Sequence, residues 1–491
     1  MFKELSRIIK HTGIYGLGIV LSKAVGFFLI PLYTHYLRPA DYGVLELLDL
    51  IVFLAGQFTG LGILAALFRF YAAYKSEQDK KEVISTAILF NAGVSLLIVA
   101  LMNVFASPIA AGVFGNSQLA SLVRMISLTL LFSNLGEIPM ACIRAQERTL
   151  LFVSLGLVGM LVGASLKVTA VAVLQKGVVG VVYAGVISTA LFGVATSIWV
   201  LRQVPRRIVP QKLKAMLRYG LPMVPWGLNM YVLTFSDRFF LRHFGTLADV
   251  GVYALGYKLA MVVTLLVTGP FSLLWQWHQF ELAKQQDAKA IYARIQIYIM
   301  LASVFVGLAI ALMAKDVVRL ISPPSYWPAA RIVPLIVMCY ILDNVRSVVT
   351  SGVLIKQATH KLIGISFIVI SSNLLLNYLL ISRFLAMGAA IATLLSYGLN
   401  LGLCYRAAQR VYGVRYEFGR NAIALGSATA IYLASQWVDL PLLASILMNC
   451  SFLLLFVLVA VWLLDDEERL MFQKIGLSLA SRMRAAFVRA E

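Results

Sequence analysis

Charge is what this chain has least of. Only 13% of its 491 residues are Asp, Glu, Lys or Arg, 60% are hydrophobic, and the mean hydropathy is +0.86. A soluble protein of this length cannot cover itself with so few polar side chains, so a water-soluble globular fold is excluded. Cysteine is scarcer still. Cys142, Cys339, Cys404 and Cys450 lie singly in apolar runs without CxxC or Cys/His spacing, which argues against both disulfides and zinc. No GxxxxGK[ST] loop for ATP hydrolysis is present, nor HExxH, nor GxSxG. Long polar loops are lacking as well: the longest one expected outside, about 314–330, has too little surface to hold a catalyst and its acceptor. The expectation is therefore a non-enzyme without cofactor or metal. Acids number 22 against 42 bases, a net charge of +20. In a soluble chain this would suggest nucleic acid, but in a membrane chain the excess belongs in cytoplasmic loops facing anionic lipid, and no nucleic-acid partner is expected.

What is present is a series of apolar windows long enough to cross a bilayer. They fall near 12–33, 44–66, 83–106, 119–141, 150–174, 178–201, 219–243, 250–280, 290–313, 331–355, 361–383, 386–405, 421–438 and 442–464. Backbone in lipid must satisfy its own hydrogen bonds, so these are read as helices. The fold class is all-α, a polytopic membrane bundle of fourteen spans. The first window follows Lys3, Arg7 and Lys10 as a signal peptide would, but it runs about 20 residues without a small-residue cleavage pattern and is read as a retained span.

With both termini placed in the cytoplasm, and cations at span edges counted with the adjoining loop, inside segments carry 29 Lys/Arg and outside loops seven. This bias sets the expected topology. The basic stretch "RQVPRRIVPQKLKAMLRYG" then divides the chain. Residues 1–201 form an N-terminal lobe of six spans, 202–218 a cytoplasmic linker, 219–410 a C-terminal lobe of six spans, 411–464 two further spans and 465–491 a basic tail that reads as a helix on the inner leaflet. An internal echo supports the duplication: "LRPADYGVLELL" (37–48) and "GTLADVGVYALG" (245–256) share Ala-Asp-x-Gly-Val, 208 residues apart. Six spans per lobe would relate the halves by an axis along the membrane normal.

Charges inside spans are costly and are functional candidates by default. Six cations fall there: Lys23, Arg124, Lys167, Arg238, Lys258 and Arg346. They are read together as lining a net-positive aqueous cavity that binds substrate. The acids Asp237, Asp343, Glu46 and Asp49 are read as pairing with them or coupling an ion. Asp237 and Arg238 are expected to face an aqueous cleft about 100° apart on one helix, and Asp343 lies one turn from Arg346. Arg124, Lys167, Glu46 and Asp49 lie near enough to the outer surface that snorkelling to headgroups also accounts for them, and Asp343–Arg346 is also readable as a structural ion pair. Pro222, Pro225 and Pro270 interrupt their helices. Trp226, Trp275 and Trp277 read as interface-belt residues.

The stretches "GFFLIPLYTHYLRPADYGVLELLD" (26–49) and "YGLPMVPWGLNMYVLTFSDRFFLRHFGTLADVGVYALGYKLA" (219–260) resemble the polysaccharide transporter family, the Wzx-type O-antigen and exopolysaccharide flippases of the multidrug/oligosaccharidyl-lipid/polysaccharide exporter superfamily. The resemblance covers roughly residues 5 to 465 and is strongest over the DRFFL…VGVYALGYKLA pattern. It implies a two-lobe, fourteen-helix bundle in the bacterial inner membrane. It also implies that the protein moves undecaprenyl-pyrophosphate-linked oligosaccharide repeat units between leaflets, driven by an ion gradient. Only the Asp237–Arg238 position is carried over from the family. The implied partners are the lipid-linked oligosaccharide, membrane lipids, a proton or sodium ion and a glycan polymerase. A multidrug/cation antiporter of the same superfamily would favour buried acids over bases. A lipid II flippase remains open, and a membrane-embedded glycan polymerase or ligase would want a longer outer loop.

Overall fold

The computed structural model describes residues 25–146, 148–438 and 440–470; Lys23, most of the first expected span and the tail from 471 lie outside the described residues. Among those described, every regular element is helical. The chain runs α1 (25–36), α2 (Pro39–Gly60), α3 (Ile63–Ala73), α4 (Glu77–Val104), α5 (Ala106–Phe114), α6 (Ala120–Ala145), α7 (Thr149–Val168), α8 (Gly177–Leu201) and α9 (Pro210–Gly220). It continues through α10 (Val224–Phe244), α11 (Leu247–Ala260), α12 (Gly269–Leu282), α13 (Ala288–Ile321), α14 (Val333–Val349), α15 (Ser351–Ile355), α16 (His360–Val411), α17 (Phe418–Ser435) and α18 (Leu442–Leu463). Ten helical stretches among the described residues are long and apolar enough to cross a membrane. One of them, α16, is two helices joined at Leu385, whose φ of 46° and ψ of −126° break the helix between the windows expected at 361–383 and 386–405. The protein is an all-α, multi-pass membrane bundle.

The chain divides into two compact units. Unit 1 comprises Met1–Leu259, Val318–Ile336 and Ile363–Asn400; unit 2 comprises Ala260–Val317, Val337–Leu362 and Leu401–Glu491. In unit 1 the helices approach closely where glycines meet backbone, the usual solution in a membrane, where small residues let helices pack. A Cβ on Gly43 would lie 2.0 Å from the Leu247 carbonyl oxygen, and one on Gly251 would lie 2.0 Å from that of Pro39. These are the glycines of the two Ala-Asp-x-Gly-Val segments, so the echoed segments cross each other directly. Their aspartates share a job too. Asp41 accepts from the Arg38 amide at 3.2 Å, and Asp249 accepts from the Thr246 amide at 2.8 Å while the Thr246 hydroxyl accepts from the Asp249 amide at 3.2 Å. Each carboxylate thus caps a helix start. The motif is a cap followed by a crossing point.

Similar logic ties α6 to α8. Pro139 cannot donate an amide to the Leu135 carbonyl, and Ser197 of α8 donates to it instead at 2.6 Å. One turn earlier a Cβ on Gly193 would lie 2.0 Å from the Phe132 carbonyl oxygen.

The structure departs from expectation at three places. The 202–218 linker is not plain loop: its second half is α9, with Met216 fully buried in a core that includes Ile63, Leu67, Ile84 and Cys142. Lys212 reaches Asp79 and Glu82, both at 2.7 Å, and Arg207 also pairs with Glu82. The amphipathic pattern of PQKLKAMLRYG, masked by three cations of its own and three just before it, explains the docking. The expected outer loop 314–330 is mostly helical, being the end of α13 followed by a 3₁₀ helix, Pro324–Arg331. Trp275 is packed inside the protein rather than facing outward. It is 6% exposed, packs on Phe271 and Tyr292, and donates Nε1–H to Ser351 at 3.1 Å, all within unit 2. The side chains of Trp226 and Trp277 lie outside the described residues. Pro270 follows a π-helical turn, Thr264–Thr268, which absorbs the missing amide without ending the span.

Candidate functional site

Unit 1 holds two groups of charged side chains. The first is built on α10 and α11. Asp237 and Arg238 are adjacent, and the Arg238 guanidinium folds back to donate to Asp237 Oδ1 at 2.8 Å and to the Thr234 carbonyl at 2.9 Å. Tyr253 of α11 donates its hydroxyl to Asp237 Oδ2 at 2.5 Å. The guanidinium also lies over the rings of Tyr257, at 4.3 Å to the centroid, and Tyr253, at 5.3 Å. Desolvated cation–π contacts of this kind add to the ion pair. Both charges are sealed, Asp237 at 2% exposure and Arg238 at 3%. The expectation that they face an aqueous cleft is therefore corrected. The aromatic side chains of α11, one helical turn apart, close over the pair.

Behind them lies a polar network that no charge in the sequence announces. Ser236 donates to Asn373 Oδ1 at 3.1 Å, Asn377 donates to Ser236 and Asn373, and Asn373 donates to Ser396 at 3.0 Å. All four are buried. The available signal was the pair of asparagines spaced i, i+4 in an otherwise apolar span.

The second group joins α2 to α11. The Lys258 ammonium pairs with Glu46 and donates to the Tyr42 hydroxyl at 3.0 Å, with Nζ 4.8 Å from the Tyr42 ring centroid. Tyr42 is held in turn by Tyr33 and Tyr326, with ring centroids 6.3 and 6.1 Å away. Unlike Arg238, the Lys258 side chain is 34% exposed. Asp49, one turn along α2 from Glu46, is exposed, and its charged neighbours are Glu46, Lys258 and Lys167. Lys167, near the end of α7, is half-buried. The four side chains make one mixed-charge patch of unit 1, in which Glu46 is buried and Lys258, Asp49 and Lys167 keep accessible surface. Arg124 is exposed near the start of α6.

Unit 2 holds the third group. On α14, Arg346 donates Nε–H to Asp343 Oδ1 at 2.8 Å and approaches the same oxygen through Nη2 at 2.7 Å. The two side chains are 26% and 32% exposed. Thr350 donates to the Arg346 carbonyl at 2.7 Å. Of the six cations picked out by sequence, the structure thus gives an acid to Arg238, Lys258 and Arg346, and places Arg124 and Lys167 in solvent-reached positions; Lys23 lies outside the described residues.

A multi-pass bundle with ion pairs held inside its spans is the class defined by these observations. The model of the polysaccharide biosynthesis protein family matches residues 34–331, more than half of the chain, and the chain belongs to that family. No curated protein matches it significantly. Among solved structures the fold is similar to that of the lipid II flippase MurJ in an inward closed conformation, with a TM-score of 0.74 at 13% identity over 90% of this chain and 97% of that one. It is also similar to an inward-facing multidrug resistance MATE family transporter of the MOP superfamily (TM-score 0.61, 15% identity, 79% and 94% covered). The Vibrio cholerae MATE transporter VcmN in the bent form is a further neighbour (0.52, 16%, 83% and 98%). At these identities the likeness is one of fold.

Proposed function

We propose that the protein is a flippase of the bacterial inner membrane, with both termini cytoplasmic. It carries undecaprenyl-pyrophosphate-linked oligosaccharide repeat units from the cytoplasmic to the periplasmic leaflet by ion-gradient-driven alternating access. The observation that carries this reading is the Lys258 ammonium. It sits in an apolar helix, one third exposed and shared between a carboxylate and a phenol, so a phosphate oxygen arriving through solvent can replace Glu46 as its partner. Arg346, a quarter exposed and paired with the Asp343 carboxylate, is a second such cation, and a guanidinium fits phosphate bidentately. Arg238 is assigned a positioning role, locking α10 to α11, because its sealed guanidinium cannot reach a passing headgroup. Family membership supports a glycan substrate, and the fold shared with a lipid II flippase supports a polyprenyl-pyrophosphate carrier. We assign Arg124 and Lys167 to the approach path, Glu46, Asp49 and Asp343 to holding the cations between substrates, and a glycan polymerase as the downstream partner.

The test is export of the surface glycan that disappears when the gene is deleted. Lys258→Ala, at wild-type protein level in the membrane, should abolish it, and Lys258→Arg should keep part. Full export by Lys258→Ala would refute the role. Deletion that leaves the surface glycans intact but abolishes drug efflux would favour the antiporter instead.

A further inference from the structure

Along residues 42–57 of α2 only two side chains are exposed, Asp49 and Phe53, and Gln57 beyond them is partly exposed. Each step of four residues turns the helix by about 40° and climbs about 6 Å, so the three form one strip about 80° wide. A carboxylate and an amide on either side of Phe53 would be costly against hydrocarbon, so this strip faces a polar space rather than acyl chains. It starts at the mixed-charge patch, because Asp49 has Lys258 among its charged neighbours.

Phe53 is 46% exposed, yet its ring is fixed. It stacks on Tyr231 of α10, with centroids 5.4 Å apart and planes 12° from parallel, and meets Phe235 at 5.5 Å. Tyr231 is buried and donates its hydroxyl to the Leu50 carbonyl of α2 at 3.0 Å, which ties down the ring beneath Phe53. Phe235 is backed in turn by the sealed Arg238 guanidinium, 5.2 Å from its centroid. One face of Phe53 is thus taken by an anchored partner, and its exposed area lies on the opposite face and rim.

An open aromatic face is a poor neighbour for water but a good one for a sugar ring. One face of a pyranose presents C–H groups, whose positive hydrogens meet the negative face of an aromatic ring, while its hydroxyls point outward along the edge. A carboxylate accepts from such hydroxyls, and a primary amide both donates and accepts. Asp49 and Gln57 supply one of each, a turn to either side of Phe53.

We propose that Phe53 is a saccharide platform, taking the face of a sugar ring near the pyrophosphate of the lipid-linked substrate, with Asp49 and Gln57 meeting its hydroxyls. The assignment rests on the transport reading above, in which Lys258 holds the phosphate, and adds the residue that reads the sugar. Phe53 stands about 10 Å along α2 from Glu46, the partner Lys258 gives up, so the platform meets the sugars nearest the phosphate.

The test compares two lipids binding to the full-length protein in nanodiscs: bare undecaprenyl pyrophosphate, and the glycosylated carrier extracted from cells lacking the gene. The wild type should bind the glycosylated lipid more tightly than the bare one. Phe53→Ala and Phe53→Leu should weaken the glycosylated lipid about tenfold and leave the bare lipid unchanged. Phe53→Tyr should keep the preference. Leucine preserves apolar bulk against Tyr231 but has no flat face, so this set separates stacking on a sugar from packing in the fold. Lys258→Ala should instead weaken both lipids together. Equal binding of the glycosylated lipid by wild type and Phe53→Leu overturns the platform and leaves the flippase reading standing. Loss of both lipids in Phe53→Leu would make Phe53 a packing residue and overturns the platform as well. A wild type that binds neither lipid overturns the transport reading and the platform with it.

Discussion

Arg238 and Arg346 are the same side chain, each tied to an aspartate close by in sequence, yet one pair is sealed and the other is partly exposed. The Asp237–Arg238 pair of unit 1 is 3% exposed on both sides and closed in by Tyr253 and Tyr257. The Asp343–Arg346 pair of unit 2 is 26–32% exposed. The difference teaches that a charge inside a span is not by itself a substrate site. A sealed pair has spent its hydrogen bonds on the fold, and breaking it strands a charge. A wetted pair holds its partner weakly and can exchange it for a ligand.

The contrast breaks most sharply at Asp237. Removing one partner of a buried pair costs about 3–5 kcal/mol, so Asp237→Asn should lower the yield of folded protein, seen as a loss of the monodisperse peak in fluorescence-detected size exclusion. Asp237→Asn with Arg238→Leu should recover much of it; a stable single variant would show that the pair is not structural. Next in size is Arg238→Lys. It keeps the charge but gives up the Thr234 bond and the stack over Tyr257, each a contact of a buried charged group, and should lower stability by about 1–3 kcal/mol in thermal melts. The matching Arg346→Lys, in a partly exposed pair, should lower the melt by less. Smaller still is Asp343→Asn, where a partly exposed pair is worth about 0.2–1 kcal/mol. Its effect should appear in glycan export rather than in the melt, and an export rate equal to wild type would remove Asp343 from the site. The smallest effect belongs to Asp465, past the last span, whose carboxyl Arg420 holds below the usual carboxylate range by a hydrogen bond. A depressed carboxyl stabilises above its unfolded pKa and loses that contribution as pH falls through the folded one. The Asp465→Asn and wild-type melting temperatures should therefore differ slightly at neutral pH and converge in acid.

The helical class was legible because apolar runs of bilayer length have one solution in lipid; even the break at Leu385 fell between two windows. The candidate charges were legible as types but not as neighbours. Lys258 and Glu46 are 212 residues apart, and no spacing rule brings them together. Counting cations against acids also overstated the positive field, because Glu46, Asp237 and Asp343 each take up one cation. The docked α9 was hidden by its own charge, since the same cations that mark a cytoplasmic linker also make its outer face.

The crossing of Gly43 with Gly251 carries a consequence for biogenesis. The two glycines are 208 residues apart, and synthesis proceeds at roughly 5–20 residues per second, so α2 waits about 10–40 s before α11 exists to cover it. For that interval the start of α2 exposes a bare backbone groove, the capping carboxylate of Asp41 and the unpartnered Glu46 carboxylate, all within or beside the bilayer. The early helices must therefore be covered by the insertion machinery or by one another until then. Arrival of α11 would deliver Lys258 and close the groove in a single step, making the later of the two echoed segments the event that commits the earlier one to its final packing.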